Sequence, residues 1–160
     1  MHQDKIPRLL YELIRNSRRS DRDLAKALGF SQPTVTRTRR RLEDEEYVLQ
    51  YTAVPDFTKL GFEIMAFTFT QWGFSAESPW KWLKEDPRTV YVAEGNGLNG
   101  KNLIAITLHK NFTDYSSFVA SLRERPETRS ASSFIVALEG VRKHLNFSSL
   151  EEVKTLEPAI

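Results

Sequence analysis

A chain of 160 residues, 40% hydrophobic and 28% charged, is long enough for two small domains and has the composition of a folded chain. It has no cysteine, which excludes disulfides and thiolate metal sites. The net charge is only +2, yet nine basic residues against two acidic ones fall between Arg15 and Arg41, leaving 14 basic and 19 acidic elsewhere. Positive potential concentrated in this way suits a polyphosphate backbone.

In chain order, Ile6, Leu9, Leu10, Leu13 and Ile14 fall on one stripe of a helix predicted from about Pro7 to Asn16. Ser20, three residues before Asp23, starts a second helix with Leu24, Ala27 and Leu28 on one face and Gly29 at its end. Gly29-Phe30 makes a turn, Ser31 is an N-cap, and Pro33 suits the first turn of a third helix running to about Glu45. Tyr47 to Val54 is rich in β-formers and predicts a hairpin wing or an exit strand. Residues Pro7 to Pro55 therefore read as a winged helix-turn-helix, followed by a linker from Pro55 to about Gly61.

Beyond the linker, Phe62 to Thr70 is predicted as a strand, and Ser78-Pro79 as the cap of a short helix bearing Trp80, Trp82 and Leu83. Thr89 to Ala93 and Leu103 to His109 are predicted strands flanking a turn from Gly95 to Gly100. Thr113 is expected to cap a helix carrying Tyr115, Phe118, Val119 and Leu122, and Ser132 to Leu138 to form a fourth strand. A further strand after Glu139 and a helical turn capped by Ser148 and Glu151 are expected in the tail. The order βαββαβ is that of a ferredoxin-like sandwich, so the fold class is α+β. Ile64, Ala66, Ile135 and Ala137 are assigned to the sheet face without helices, where a second copy of the chain would cover them.

On the third helix Val35 and Leu42 mark the buried side, while Arg37 and Arg40 point away from it. Thr34, Thr36 and Arg41 flank that pair, and Ser31 and Gln32 lie at the amino end, where groove contacts are made. Arginine can pair with guanine O6 and N7, and glutamine with adenine N6 and N7. This face is the predicted reader of double-stranded DNA, with Arg18, Arg19 and Arg22 as candidate phosphate contacts.

The stretch Arg19 to Ser31, the pieces Thr34-Val35-Thr36-Arg37 and Arg41-Leu42-Glu43, and the linker Tyr51 to Gly61 resemble the Lrp/AsnC, or feast/famine, regulators. The resemblance implies a homodimeric transcription regulator, assembling further into even-numbered oligomers, whose second domain binds a small-molecule effector between subunits. Those regulators carry a glycine followed two residues later by aspartate in the turn between the second and third strands. Here Glu94 to Asn102 has no aspartate, which leaves open whether an amino acid is the effector; Gly95, Asn96, Gly97, Asn99 and Asn102 are the candidate effector residues. Arg39 is a second departure, standing where the family has an aliphatic residue on the buried side.

Gly95 to Gly100 also matches G-x-G-x-x-G, but a strand rather than a helix follows it, which argues for a hairpin loop over a dinucleotide site. His2, His109 and His144 lack the spacing of metal ligands or of a catalytic triad, so no metal, cofactor or enzymatic activity is expected. Residues Met1 to Arg8 do not resemble a secretory signal, and the apolar run Ile64 to Ala76 is too short to span a bilayer; a cytoplasmic location without membrane contact is expected. The expected division is 1–54 for the DNA-binding domain, 55–61 for the linker, 62–147 for the effector and dimerisation domain, and 148–160 for the tail. The alternatives are a non-specific architectural DNA-binding protein and, in another class, an enzyme like the sirohaem decarboxylases of the same two-domain build.

Overall fold

The computed structural model describes residues 5–73, 79–97 and 99–147. The described residues divide into two compact units, one holding 5–54 with 143–147, the other lying within Pro55–Arg142.

The first unit contains α1 (Lys5–Arg15), α2 (Asp21–Leu28) and α3 (Gln32–Asp44). Ser20 caps α2 by accepting the Asp23 N–H at 3.1 Å, and Gly29 ends it with φ 69°, a left-handed conformation that costs glycine little. Ser31 caps α3 as the sequence predicts. Ile6, Leu9 and Leu13 of α1 meet Leu24, Ala25 and Leu28 of α2 and Val35 and Leu42 of α3, with Leu10, Phe30 and Val48 packed around them. Ala25, not the expected Ala27, is the buried alanine. At about 100° per residue, Ala27 points roughly 100° away from the centre of the stripe formed by Leu24, Ala25 and Leu28.

The predicted wing is not formed: Tyr47 to Val54 contains no strand. Val48 alone among these β-formers packs on the core, its N–H donating to the Leu42 carbonyl at 3.0 Å, while Leu49 is 84% exposed. A strand needs a neighbour's backbone to pair with, and β-propensity by itself does not provide one.

The second unit contains β1 (Ile64–Trp72), α4 (Pro79–Glu85), β2 (Thr89–Gly97), β3 (Lys101–His109), α5 (Phe112–Arg123) and β4 (Thr128–Ala137). The sheet is antiparallel in the order β2-β3-β1-β4, as expected of a ferredoxin-like βαββαβ chain. Leu83, Phe118 and Val119 from the helices pack on Leu103 and Ala105, and Trp82 stacks on Phe118 with centroids 6.0 Å apart. The proposed cap Ser78 and the side chain of Trp80 lie outside the described residues, as do Ser148 and Glu151.

The cross-strand register reverses the expected assignment of the sheet faces. Ala66 pairs with Thr107, and Thr68 with Ala105, which places Ile64, Ala66, Ile135 and Ala137 on the helix-covered side. That side is lined near its middle by Ala66, Thr68, Ala105 and Thr107, residues small enough for helices to approach closely. Met65, Phe67 and Phe69 of β1 share the other face with Ile104 and Ile106 of β3 and Phe134 and Val136 of β4. Alternation divides a strand into two faces, but here both are apolar, so it does not say which one the helices choose.

Several boundaries also differ, β3 and β4 starting earlier than expected, at Lys101 and Thr128. β2 continues through Gly95 and Asn96 to Gly97, which pairs with Lys101, so the hairpin connection shrinks to residues 98–100, with Asn99 and Gly100 at φ 59° and 78°. A register shift between Glu94 and Gly97 absorbs the glycine-rich stretch that reads locally as a turn. Asn111, rather than Thr113, caps α5 by accepting the Asp114 N–H at 3.0 Å, because the helix starts at Phe112. After Leu138 a 3₁₀ turn, Leu138–Gly140, replaces the expected extra strand among the described residues.

Candidate nucleic-acid interface

The sequence of α3 sorts its side chains by helical angle, and the structure follows that order: Val35 and Leu42 are fully buried, while Gln32, Arg37 and Arg40 are exposed. Gln32, Pro33, Thr36, Arg37 and Arg40 line one shallow groove, and Lys5, Ile6, Thr34, Arg37, Thr38 and Arg41 line another. Arg37 stands on the ridge between them. Lys5, absent from the sequence-based set, thus joins the border of this surface; it lies within 5.7 Å of the Phe30 ring centroid, and Arg8 within 5.1 Å.

The remaining predicted contacts are engaged to different degrees. The Ser31 and Thr34 hydroxyls lie 2.8 Å apart, and Ser31 Oγ also accepts the Thr34 N–H at 3.4 Å. Arg41 pairs with Glu45 at 2.6 Å one turn along the helix, which raises its pKa further and draws the guanidinium towards the carboxyl end. Arg18 and Arg22 are exposed, but Arg19 is tied into the fold by an ion pair with Glu12 and a hydrogen bond to the Asp23 carbonyl.

Arg39 does not join the exposed face. It reaches across to α2, where Nε lies 2.8 Å from Asp21 Oδ1, and it donates to the Arg19 carbonyl at 3.1 Å. Asp21 Oδ2 accepts the Thr36 hydroxyl at 2.6 Å, and that hydroxyl also lies 3.2 Å from the Gln32 carbonyl. Asp21 is thus a junction between α2 and α3. An arginine in a helix position otherwise suited to an aliphatic residue, together with an acidic first-turn residue on α2, is the signal in the sequence that could have found it. Tyr51 donates to Glu43 Oε1 at 2.9 Å, and burial, followed by that carboxylate, raises the phenol's pKa.

The candidate effector residues do not form one binding surface. Gly95, Asn96 and Gly97, with Phe69, Lys101 and Ile104, border a depression of about 140 Å³, small beside the ~300–1,000 Å³ of most ligand pockets. Lys101 Nζ donates to Ser130 Oγ at 2.6 Å, and Ser130 donates in turn to Gln71 Oε1 at 3.2 Å. Asn99 is exposed in the connection. Asn102 is occupied elsewhere: its side chain accepts the Trp72 N–H at 2.7 Å and donates to the Trp72 carbonyl at 2.8 Å. Among the described residues no cluster of His, Cys, Asp or Glu could hold a metal ion, and no helix is long and apolar enough to cross a membrane.

Residues 5–43 match the family model of the AsnC-type helix-turn-helix domain. No curated protein matches the chain significantly. Among solved structures, B. subtilis LrpC superposes with a TM-score of 0.72 at 21% identity, covering 85% of this chain and 95% of that one. An AsnC family transcriptional regulator from Agrobacterium tumefaciens gives 0.70 at 17% identity, covering 91% and 94%. A transcriptional regulator from Neisseria meningitidis, solved as a complex with L-Met, gives 0.73 at 19% identity, covering 94% and 98%. This chain therefore carries an AsnC-type helix-turn-helix domain within the α+β fold of Lrp/AsnC transcriptional regulators.

Proposed function

We infer that this protein is a sequence-specific transcription regulator that binds double-stranded DNA by placing α3 in the major groove. The observation that carries this reading is the exposed, basic face of α3, where Gln32, Arg37 and Arg40 stand together opposite the buried Val35 and Leu42. Arg37 and Arg40 read base edges, while Arg18, Arg22 and the amino end of α3 position the phosphate backbone. The domain boundaries that go with this reading are 1–54 for DNA binding, 55–61 for the linker, 62–147 for assembly and effector binding, and 148–160 for the tail. It is a cytoplasmic protein without catalytic activity.

Assembly as a homodimer is supported by the sheet face that no helix among the described residues covers. Phe134 is 68% exposed there and shares the face with Phe67 and Ile106, a continuous apolar surface that a second copy would bury. The depression beside Gly95 to Gly97 becomes an effector site if that second copy encloses it, and the L-Met bound to the Neisseria regulator makes a small amino acid the first ligand to try.

The test is competition between a duplex selected by the purified protein from a random library and an unselected duplex of equal length. Preference of at least ~10³-fold for the selected site is expected of a specific regulator. A ratio near one would favour an architectural, non-specific protein.

A further inference from the structure

We propose that Asp21 is a positioning residue that sets the specificity of this helix-turn-helix by holding Arg39 and the Thr36 hydroxyl away from DNA. The proposal rests on the reading of α3 as the recognition helix. Both side chains are of kinds that bind phosphates or bases, and both belong to α3, yet each is directed to one carboxylate at the start of α2. Arg39 Nε lies 2.8 Å from Asp21 Oδ1 and Thr36 Oγ1 donates to Oδ2 at 2.6 Å, so each carboxylate oxygen has a different partner. The Arg19 carbonyl, 3.1 Å from Arg39, supplies a second acceptor and directs the guanidinium towards the loop between α1 and α2.

The chemistry explains why an acid is present in so basic a segment. Asp21 and Asp23 are the only acidic residues between Arg15 and Arg41, and a carboxylate near a DNA-binding surface weakens phosphate binding. Asp23 is spent on the α2 cap, with Oδ2 accepting the Ser20 hydroxyl at 2.6 Å. Asp21 instead withdraws one cation that would otherwise track the phosphate backbone regardless of sequence. Non-specific affinity falls while the base-reading pair Arg37 and Arg40 is left free, and the ratio between the two is what a regulator needs. The same junction fixes the rotation of α3 against α2, because its two partners lie three residues apart on one side of α3.

The experiment measures binding of the full chain to the selected duplex and to an unselected duplex across a salt series, for wild type, Asp21→Asn and Asp21→Asn with Arg39→Met. In Asp21→Asn, Arg39 is released: binding to the unselected duplex tightens about three- to tenfold at low salt, and the slope of log affinity on log salt steepens by about 0.9, one added phosphate contact. The double variant keeps the loss of negative charge but has no released guanidinium, so its slope returns to that of wild type. Equal slopes in the single and double variants would overturn the proposal, since removal of a negative charge would then explain everything. Should the single variant lose its helical circular dichroism, the double variant suffices: a slope shallower than wild type by about 0.9 would show that Arg39 already contacts phosphate, and would overturn the proposal equally. A wild-type preference ratio near one would sink the sequence-specific reading, whereas these slopes judge the Asp21 junction independently of it.

Discussion

The side-chain amide of Asn102 on β3 hydrogen-bonds both the N–H and the carbonyl of Trp72 on β1, at 2.7 and 2.8 Å, where the pairing of β1 with β4 slips between Gln71 and Trp72. An amide side chain has the same donor and acceptor as a peptide, so Asn102 extends the ladder by one rung at the strand end. A residue that reads in the sequence as a ligand contact is thereby assigned to the scaffold.

Asn102→Ala should therefore destabilise the protein by about 1–3 kcal/mol, because two partly buried backbone groups lose their partner. Urea denaturation monitored by tryptophan fluorescence measures this. Asn102→Asp keeps the acceptor for the Trp72 N–H but loses the donor to its carbonyl, so it should also destabilise. A midpoint unchanged in both variants would remove the bond from the account.

Arg37→Ala and Arg40→Ala should each weaken binding to the selected duplex by about 1–3 kcal/mol and relax the preference at one or two base pairs. Arg41→Ala should reduce affinity evenly across sequences, since Glu45 already draws that guanidinium away from the centre of the face. Gel-shift titrations against a panel of single-base variants separate the two patterns. Uniform losses for all three arginines would mean that α3 tracks phosphates only.

Phe134→Asp should dissociate the proposed dimer, because it places a charge on the apolar sheet face at its most exposed phenylalanine, on the edge strand β4. Ile135→Asp, on the neighbouring residue but the opposite face, should leave the association intact. Sedimentation velocity at a fixed protein concentration distinguishes the outcomes. A wild-type chain that sediments as a monomer would refute this assembly.

Lowering the pH should destabilise the protein through His109. Its ring is fully buried, with Nε2 2.7 Å from Thr107 Oγ1 and the Phe118 and Tyr115 rings packed against it. Burial lowers its pKa; Asp114, 3.6 Å from Nδ1, opposes the shift, Arg88 adds to it, and Asp86 works against it. The unfolded chain then binds the proton more readily, so the stability held by neutral His109 is complete above about pH 6.5 and falls as the pH drops below that value. Asp86, held below the usual carboxylate range by hydrogen bonds from Arg88, keeps its contribution until more acidic pH, below about 4. Denaturation midpoints at pH 7.5, 6.5 and 5.5 should decline in wild type and not in His109→Gln. Equal slopes in the two proteins would rule His109 out.

Much of the helix-turn-helix is legible without coordinates because its signals are local. The caps Ser20 and Ser31, the left-handed Gly29 and the opposition of Val35 and Leu42 to Arg37 and Arg40 all act within a few residues of chain. The predicted strand at Tyr47 to Val54 fails because propensity alone supports it, and Asn111 replaces Thr113 as a cap because two polar residues on either side of Phe112 compete for one helix start. The tie made by Asn102 is illegible for a different reason: nothing local reveals that its amide meets the backbone of a residue thirty positions earlier.

What the sequence by itself determined is the order of elements, the βαββαβ topology and the basic face of α3, each written in periodicity, capping and charge over short spans. The tertiary structure alone decided which sheet face the helices cover, that Gly95 to Gly97 extend a strand rather than turn, and that Arg39 and the Thr36 hydroxyl meet at the Asp21 carboxylate. Those outcomes depend on registers and long side chains meeting across separate elements. Their energies arise only once the chain has brought distant residues within a few ångströms of each other.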